Sequence, residues 1–215
     1  QAEDGIRDIG VTGVQTWCSS DLTSTCNSTV TVQDNVAPVA TCKNITIQLN
    51  SSGNATITAA DINNGSSDAC GIASLTASKT SFNCSNVGAN TVTLTVVDNN
   101  GNTSTCNSTV TVQDNVAPVA SCKNITIQLN SSGNATITAA DINNGSSDAC
   151  GIASLTASKT SFNCSNVGAN TVTLTVTDNN GNTSTCNSTV TVQDRVAPIA
   201  QCKNITIQLN SSGSA

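Results

Sequence analysis

Ten of the eleven cysteines in this chain fall on a lattice of eighty residues: Cys26, Cys106 and Cys186; Cys42, Cys122 and Cys202; Cys70 and Cys150; Cys84 and Cys164. Thiols can ligate zinc, attack a carbonyl or pair as disulfides. Zinc wants closely spaced thiolates and imidazoles, and a nucleophilic cysteine wants a histidine base. The sequence has no histidine and no Cys-x-x-Cys, so disulfide pairing is the use that remains.

Carboxylates are the second set able to do chemistry. Asp61 and Asp68 flank Ile62-Asn63-Asn64-Gly65 in one loop, an arrangement that a hydrolase using paired carboxylates could adopt. The loop recurs unchanged at Asp141 and Asp148, and neither copy holds a Trp or Tyr on which a sugar could stack. No catalytic residue is therefore assigned, and the chain is read as not an enzyme. Calcium suits these hard oxygen donors better. Its candidate ligands are Asp34, Asn35, Asp61 and Asp68 in one copy and Asp114, Asn115, Asp141 and Asp148 in the next. The Asp34-Asn35-Val36-Ala37-Pro38 segment is similar to the acidic inter-domain linkers of cadherins, although Arg195 at the third linker departs from a strict ligand. No other cofactor is expected. Lys43 and Lys79 are candidates for an internal isopeptide crosslink.

The elements that position these groups come from a repeat. Residues 34–113 and 114–193 differ only at Thr41/Ser121 and Val97/Thr177, the same text ends at residues 23–33, and it restarts at 194–215. Five segments follow: 1–22 non-native, 23–33 the last strand of a truncated repeat, 34–113 and 114–193 whole repeats, and 194–215 the start of another. Residues 1–22, back-translated, resemble a sequencing-library adapter and are set outside the fold. Within each copy, Asn44–Leu49, Asn54–Ala59, Thr91–Val96 and Asn107–Val112 alternate polar and apolar residues. That period buries one face of a strand. A middle strand is expected near Ile72–Ala77, and a short strand with irregular flanks between Lys79 and Ala89. Asn50-Ser51-Ser52-Gly53 and Asp98-Asn99-Asn100-Gly101-Asn102 supply hairpin connections. The expected class is all-β: tandem immunoglobulin-like β-sandwich domains, stabilised by disulfides. Val92, Leu94 and Val96 should point inward, leaving Val97/Thr177 outward. A β-solenoid is the rival, but solenoid coils repeat every twenty to thirty residues and no such sub-period is visible.

Four cysteines per copy admit three connectivities, which the sequence does not settle. Cys42 opens the first strand and Cys106 the last, and those strands run parallel in such sandwiches. The expectation is therefore Cys42 with Cys106 and Cys70 with Cys84, then Cys122 with Cys186 and Cys150 with Cys164. A bond from Cys106 to Cys122 is disfavoured, because the last strand carries the chain roughly 20 Å from Cys106 before the linker. The bonds matter because a domain of this size with one Phe has little core, and they place the chain in an oxidising compartment, extracellular or at the cell surface.

Asp34-Asn35-Val36-Ala37-Pro38-Val39-Ala40-Thr41-Cys42, Asp68-Ala69-Cys70-Gly71-Ile72 and Asp98-Asn99-Asn100-Gly101-Asn102-Thr103-Ser104-Thr105-Cys106 together resemble the hyalin repeat (HYR), an immunoglobulin-like module. One departure is Cys42-Lys43 where the family usually has Cys-Pro. The resemblance implies extracellular arrays associated with adhesion, in bacterial-type secreted and surface proteins and in animal matrix proteins, and brings no catalytic residues. The expected role is a non-catalytic extracellular repeat array, a structural spacer or adhesive stalk of a surface or secreted protein, each repeat adding on the order of 40 Å. Its alternative is the accessory repeat region of a secreted enzyme whose catalytic domain lies elsewhere. Expected partners are neighbouring repeats of the same chain, surface glycans or other surface proteins. Seven basic against thirteen acidic residues leave no basic face for nucleic acid, and no apolar run reaches a membrane span.

Overall fold

Alternating Val, Ile, Leu and Thr build the strands, and Asn, Asp, Ser and Gly break them. The structure is a computed structural model that describes residues 13–15 and 24–215. A short pair comes first, β1 (Gly13–Gln15) with β2 (Ser24–Cys26). The first repeat gives β3 (Ile45–Gln48), β4 (Asn54–Thr56), the single turn α1 (Ala59–Ile62), β5 (Ile72–Ala77), β6 (Ser81–Asn83), a 3-10 turn at Cys84–Asn86, β7 (Gly88–Asp98) and β8 (Thr103–Gln113). The second repeats them as β9 (Ile125–Gln128), β10 (Asn134–Thr136), α2 (Ala139–Ile142), β11 (Ile152–Ala157), β12 (Ser161–Asn163), a 3-10 turn at Cys164–Asn166, β13 (Gly168–Asp178) and β14 (Thr183–Gln193).

Each repeat is a sandwich of a four-stranded and a two-stranded sheet, ordered β3-β8-β7-β5 with β4-β6, and β9-β14-β13-β11 with β10-β12. First and last strands run parallel, with Val190 opposite Ile125 and Gln193 opposite Gln128. The hairpin β13–β14 is antiparallel, pairing Gly168 with Val192 and Thr177 with Thr183. Val172, Leu174, Val176, Val190 and Val192 on the large sheet meet Leu129, Ile137, Ile142 and Phe162 in one buried cluster. Burying each such side chain contributes about 1.5–3 kcal/mol. Val92, Leu94 and Val96 are fully buried, while Val97 and Thr177 point to the other face and are half-buried.

Two local expectations are corrected. The alternation over Asn54–Ala59 is strand only to Thr56. The Asp61 carboxylate then accepts hydrogen bonds from the Thr58 backbone N–H at 2.7 Å and its hydroxyl at 2.8 Å, which starts a helical turn and drops Ile62 into the core. The strand expected over residues 23–33 is strand only at Ser24–Cys26; among the described residues no strand pairs with 27–33, whereas its counterpart β8 lies between two neighbours. The adapter-like segment 1–22 lies outside the described residues apart from Gly13–Gln15.

Backbone proximity divides the chain into two compact units. One holds residues up to 47, 55–82 and 86–112; the other holds 48–54, 83–85 and 113–215. The second unit therefore takes in two loop tips of the first repeat, the hairpin before β4 and the turn after β6. No helix among the described residues is long and apolar enough to cross a membrane.

Candidate functional site

The linker before β3 has no strand pairing of its own beyond isolated bridges, so its position is set by individual hydrogen bonds. Val39 and Ser67 exchange both backbone bonds, at 2.8 and 3.0 Å, and Asn64 N–H donates to the Thr41 carbonyl at 2.8 Å. Ser104 donates to the Pro38 carbonyl at 2.6 Å, and the Asn102 amide donates to the Asp34 carbonyl at 3.2 Å. The loop 62–70 is zipped to the linker in this way, which brings Asp68 and Cys70 to Asp34. The second copy does the same with Asp114, Asp148 and Cys150, except that Ser184, the counterpart of Ser104, has no hydrogen-bond partner. In each trio one potential ligand atom per residue lies within 4.8 Å of the others.

The two trios differ in one bond. Cys70 is a free thiol; its hydrogen bond to the Asp34 carboxylate, and that carboxylate's charge, raise its pKa, with burial and the charges of Asp68 and Asp98 adding to the effect. Cys150 is bonded to Cys84 and has no proton to give. Asp114 there is buried, 6 % exposed. Its Oδ1 accepts from Val116 N–H at 3.1 Å, and its Oδ2 has no hydrogen-bond partner.

Among the described residues three disulfides form: Cys42–Cys106, Cys122–Cys186 and Cys84–Cys150. The expected Cys70–Cys84 and Cys150–Cys164 bonds are wrong. Within the second repeat, Cys150 precedes Ile152, which faces Asp178 at one end of β13, whereas Cys164 lies by Gly168 at the other end. β13 has 11 residues, roughly 33 Å of strand, far beyond the Cα separation a disulfide allows. Cys84 reaches Cys150 instead, with Cα atoms 5.2 Å apart. Gly53 makes room for it: φ is +73° there, and an added Cβ would stand 2.7 Å from Cys84 Sγ and 3.2 Å from the Ala149 Cβ. Cys70 and Cys164 are left as exposed free thiols, as are Cys26 and Cys202.

The eight oxygen ligands expected for calcium are thus only partly assembled. Asp34 meets Asp68, and Asp114 meets Asp148. Asp61 and Asp141 are absent from both groups because they cap α1 and α2, and those bonds to Thr58 and Thr138 hold both carboxyls below their usual range. The Asn115 amide donates to Gln48 at 2.8 Å. Asn35 is not a member of the trio. Lys79, one isopeptide candidate, lies over the Phe82 ring with Nζ 5.0 Å from its centre. Sequence reasoning missed Gly53, whose small size matters only because another loop approaches it, and Asn99, whose amide donates to the Cys70 carbonyl at 2.7 Å. A Gly in a turn carries no signal that separates these two uses.

The family model of the HYR domain matches residues 113–192, and residues 33–112 repeat that stretch with two substitutions. A search of curated proteins finds no match. Among solved structures the chain is similar to extracellular cadherin domains 1–4 of protocadherin gamma B7, at 14% identity and TM-score 0.39 over 81% of this chain and 56% of that one. It is also similar to fibronectin(III)-like modules of Clostridium thermocellum CbhA, at 11% identity and TM-score 0.28 over 77% of this chain and 97% of that one. Titin domains I67–I69 match at 8% identity and TM-score 0.34, over 80% and 70%. The chain spans a little over half of the protocadherin gamma B7 fragment it matches.

Proposed function

We propose, from the HYR domain at residues 113–192 and its near copy at residues 33–112, that this chain is a stretch of a non-catalytic extracellular repeat array, serving as the spacer or adhesive stalk of a secreted or cell-surface protein. One observation carries the reading: Cys84 of one repeat is bonded to Cys150 of the next. Cysteines that a catalytic or metal-binding domain would turn toward a ligand are here spent on joining repeat to repeat. Disulfides also call for an oxidising compartment, and HYR and immunoglobulin-like domains are typically non-catalytic. The test appends increasing numbers of residues 34–113 to the chain and measures small-angle scattering. A spacer gains a constant length per copy; a maximum dimension that stops growing overturns the reading. Beads coated with the same series then report adhesion, expected to rise with copy number as weak contacts multiply.

A divalent cation at Asp114 and Asp148 is the second reading, favoured by the buried Asp114 Oδ2 that has no partner. With Cys150 in a disulfide the trio offers only carboxylate oxygen, which suits calcium. Calorimetric titration of the oxidised chain with Ca²⁺ should release or absorb heat, and Asp114→Asn or Asp148→Asn should abolish the signal. A flat titration of the unsubstituted chain removes the site.

A further inference from the structure

The loop tip that receives Cys150 in the first repeat exists again in the second with nothing bonded to it. Cys164 is the counterpart of Cys84, Gly133 of Gly53, and Asp194 of Asp114. Gly133 keeps φ at +73°, and a Cβ there would again stand 2.7 Å from the cysteine sulfur, Cys164 Sγ. Covering differs in the expected sense. Gly53 is buried and Cys84 half-buried, whereas Gly133 is half-buried and Cys164 exposed; Asp114 is buried and Asp194 exposed. Cys164 opens onto a groove of about 730 Å³ lined by Asn130, Gly133, Asp194 and Ile199 among others. On the other side of the pairing, Cys70 sits in the loop Asp68-Ala69-Cys70-Gly71, whose copy Asp148-Ala149-Cys150-Gly151 is the loop already joined to Cys84.

We propose that the Cys164 groove is a docking site for the Asp68–Gly71 loop of a further copy of this repeat, and that docking ends in a Cys164–Cys70 disulfide between the copies. The occupant is named by the chain itself, which seats that loop, unchanged in sequence, on the same hairpin eighty residues earlier. The contact joins two different surfaces, so each added copy brings a new Cys164 and the series does not close on itself. The bond needs an oxidant, a low-molecular-weight disulfide such as oxidised glutathione. One protein thiolate attacks it, keeps one sulfur as a mixed disulfide and releases the other as a thiol. The second protein thiolate then attacks the protein sulfur of that mixed disulfide and expels the second small thiol. Two protein thiols are oxidised and one small disulfide is reduced. The inference stands apart from the adhesive reading, since it needs only the repeat.

The test uses the full chain with Cys18, Cys26 and Cys202 replaced by serine, oxidised in a glutathione buffer and run on non-reducing gels, with crosslinked peptides identified by mass spectrometry. A ladder whose links are Cys70–Cys164 is expected, beside the Cys84–Cys150 peptide that reports a folded chain. Chains carrying Cys70→Ser or Cys164→Ser should stay monomeric alone and form dimers, and nothing larger, when mixed. Ala69→Lys enlarges the loop where Ala149 approaches Gly53; it should abolish the ladder and leave the melting temperature unchanged. Monomers only, links of Cys70 to Cys70 or Cys164 to Cys164 at random frequency, a Cys70–Cys164 bond within one chain, or a ladder indifferent to Ala69→Lys would each overturn the proposal.

Discussion

Asp98 and its copy Asp178 are each 1 % exposed, an unusual place for a charge. Burial pushes the carboxyl of Asp98 up, but the Asn102 side chain and the N–H groups of Asn102, Asn100 and Gly101 hold the ionised form, and the net pKa is lowered. Asp178 is held the same way. A carboxyl whose folded value lies below the unfolded value of about 3.9 stabilises the fold fully above that pH. The contribution is lost as pH falls through the folded value. The urea midpoint, followed by circular dichroism, should therefore be level from pH 7 to pH 5 and fall below about pH 4. Asp98→Asn with Asp178→Asn should lower the plateau and flatten the acid limb; an unaltered limb would exclude these two as its origin. In sequence both look like ordinary turn residues, because the donors that ionise them come from their own turn and only the third dimension shows the burial.

Strands were legible from alternation, because the sheet uses that alternation to separate core from solvent. The strand expected near Ile72–Ala77 is present there as β5, and the alternation at Thr91–Val96 marks the middle of the longer β7. The turns α1 and α2 were not legible. Thr58-x-x-Asp61 is a capping signal that continues an alternating stretch, and propensity over four residues cannot compete with it. The energetic contrast between the two faces of β7 is testable. Leu94→Ala, at a site with no exposure, should cost about 2–5 kcal/mol in urea melts. Val97→Thr, which the second copy already carries at Thr177, should stay within about 0.5 kcal/mol. Equal costs would mean the register is misassigned.

At the scale of the whole molecule the sequence pointed to disulfides and misjudged two of their partners. The cause is the repetition: shifting one partner by eighty residues leaves every local residue type unchanged, so a bond inside a copy and a bond to the next copy read alike. Only the length of β7 and β13 separates them, since it holds the two loops of one copy apart. A protease site placed at Asn115–Val116 discriminates directly, because among the described residues only Cys84–Cys150 spans that point. Cleaved chain should run as one band without reductant and as two with it, and Cys84→Ser should give two bands in both. Reduction should also destabilise each repeat. In the chain-entropy model a loop of 64 residues, as closed by Cys42–Cys106, contributes about 4 kcal/mol, so the urea midpoint should drop sharply with reductant.

The three bridges overlap along the chain, since Cys84 lies inside the loop closed by Cys42–Cys106 and Cys122 lies inside the loop closed by Cys84–Cys150. Consider a pull on Cys42 and Cys186, which are 144 residues apart along the backbone. Tension crosses from Cys42 to Cys106, runs 16 residues along the backbone to Cys122 and crosses to Cys186. At about 3.5 Å per residue the taut length, bridges included, is roughly 70 Å, against roughly 500 Å for the reduced chain. Such a tether cannot be drawn out much even after every sheet has come apart, so its slack is set by covalent bonds and the redox state of its surroundings decides how far it gives.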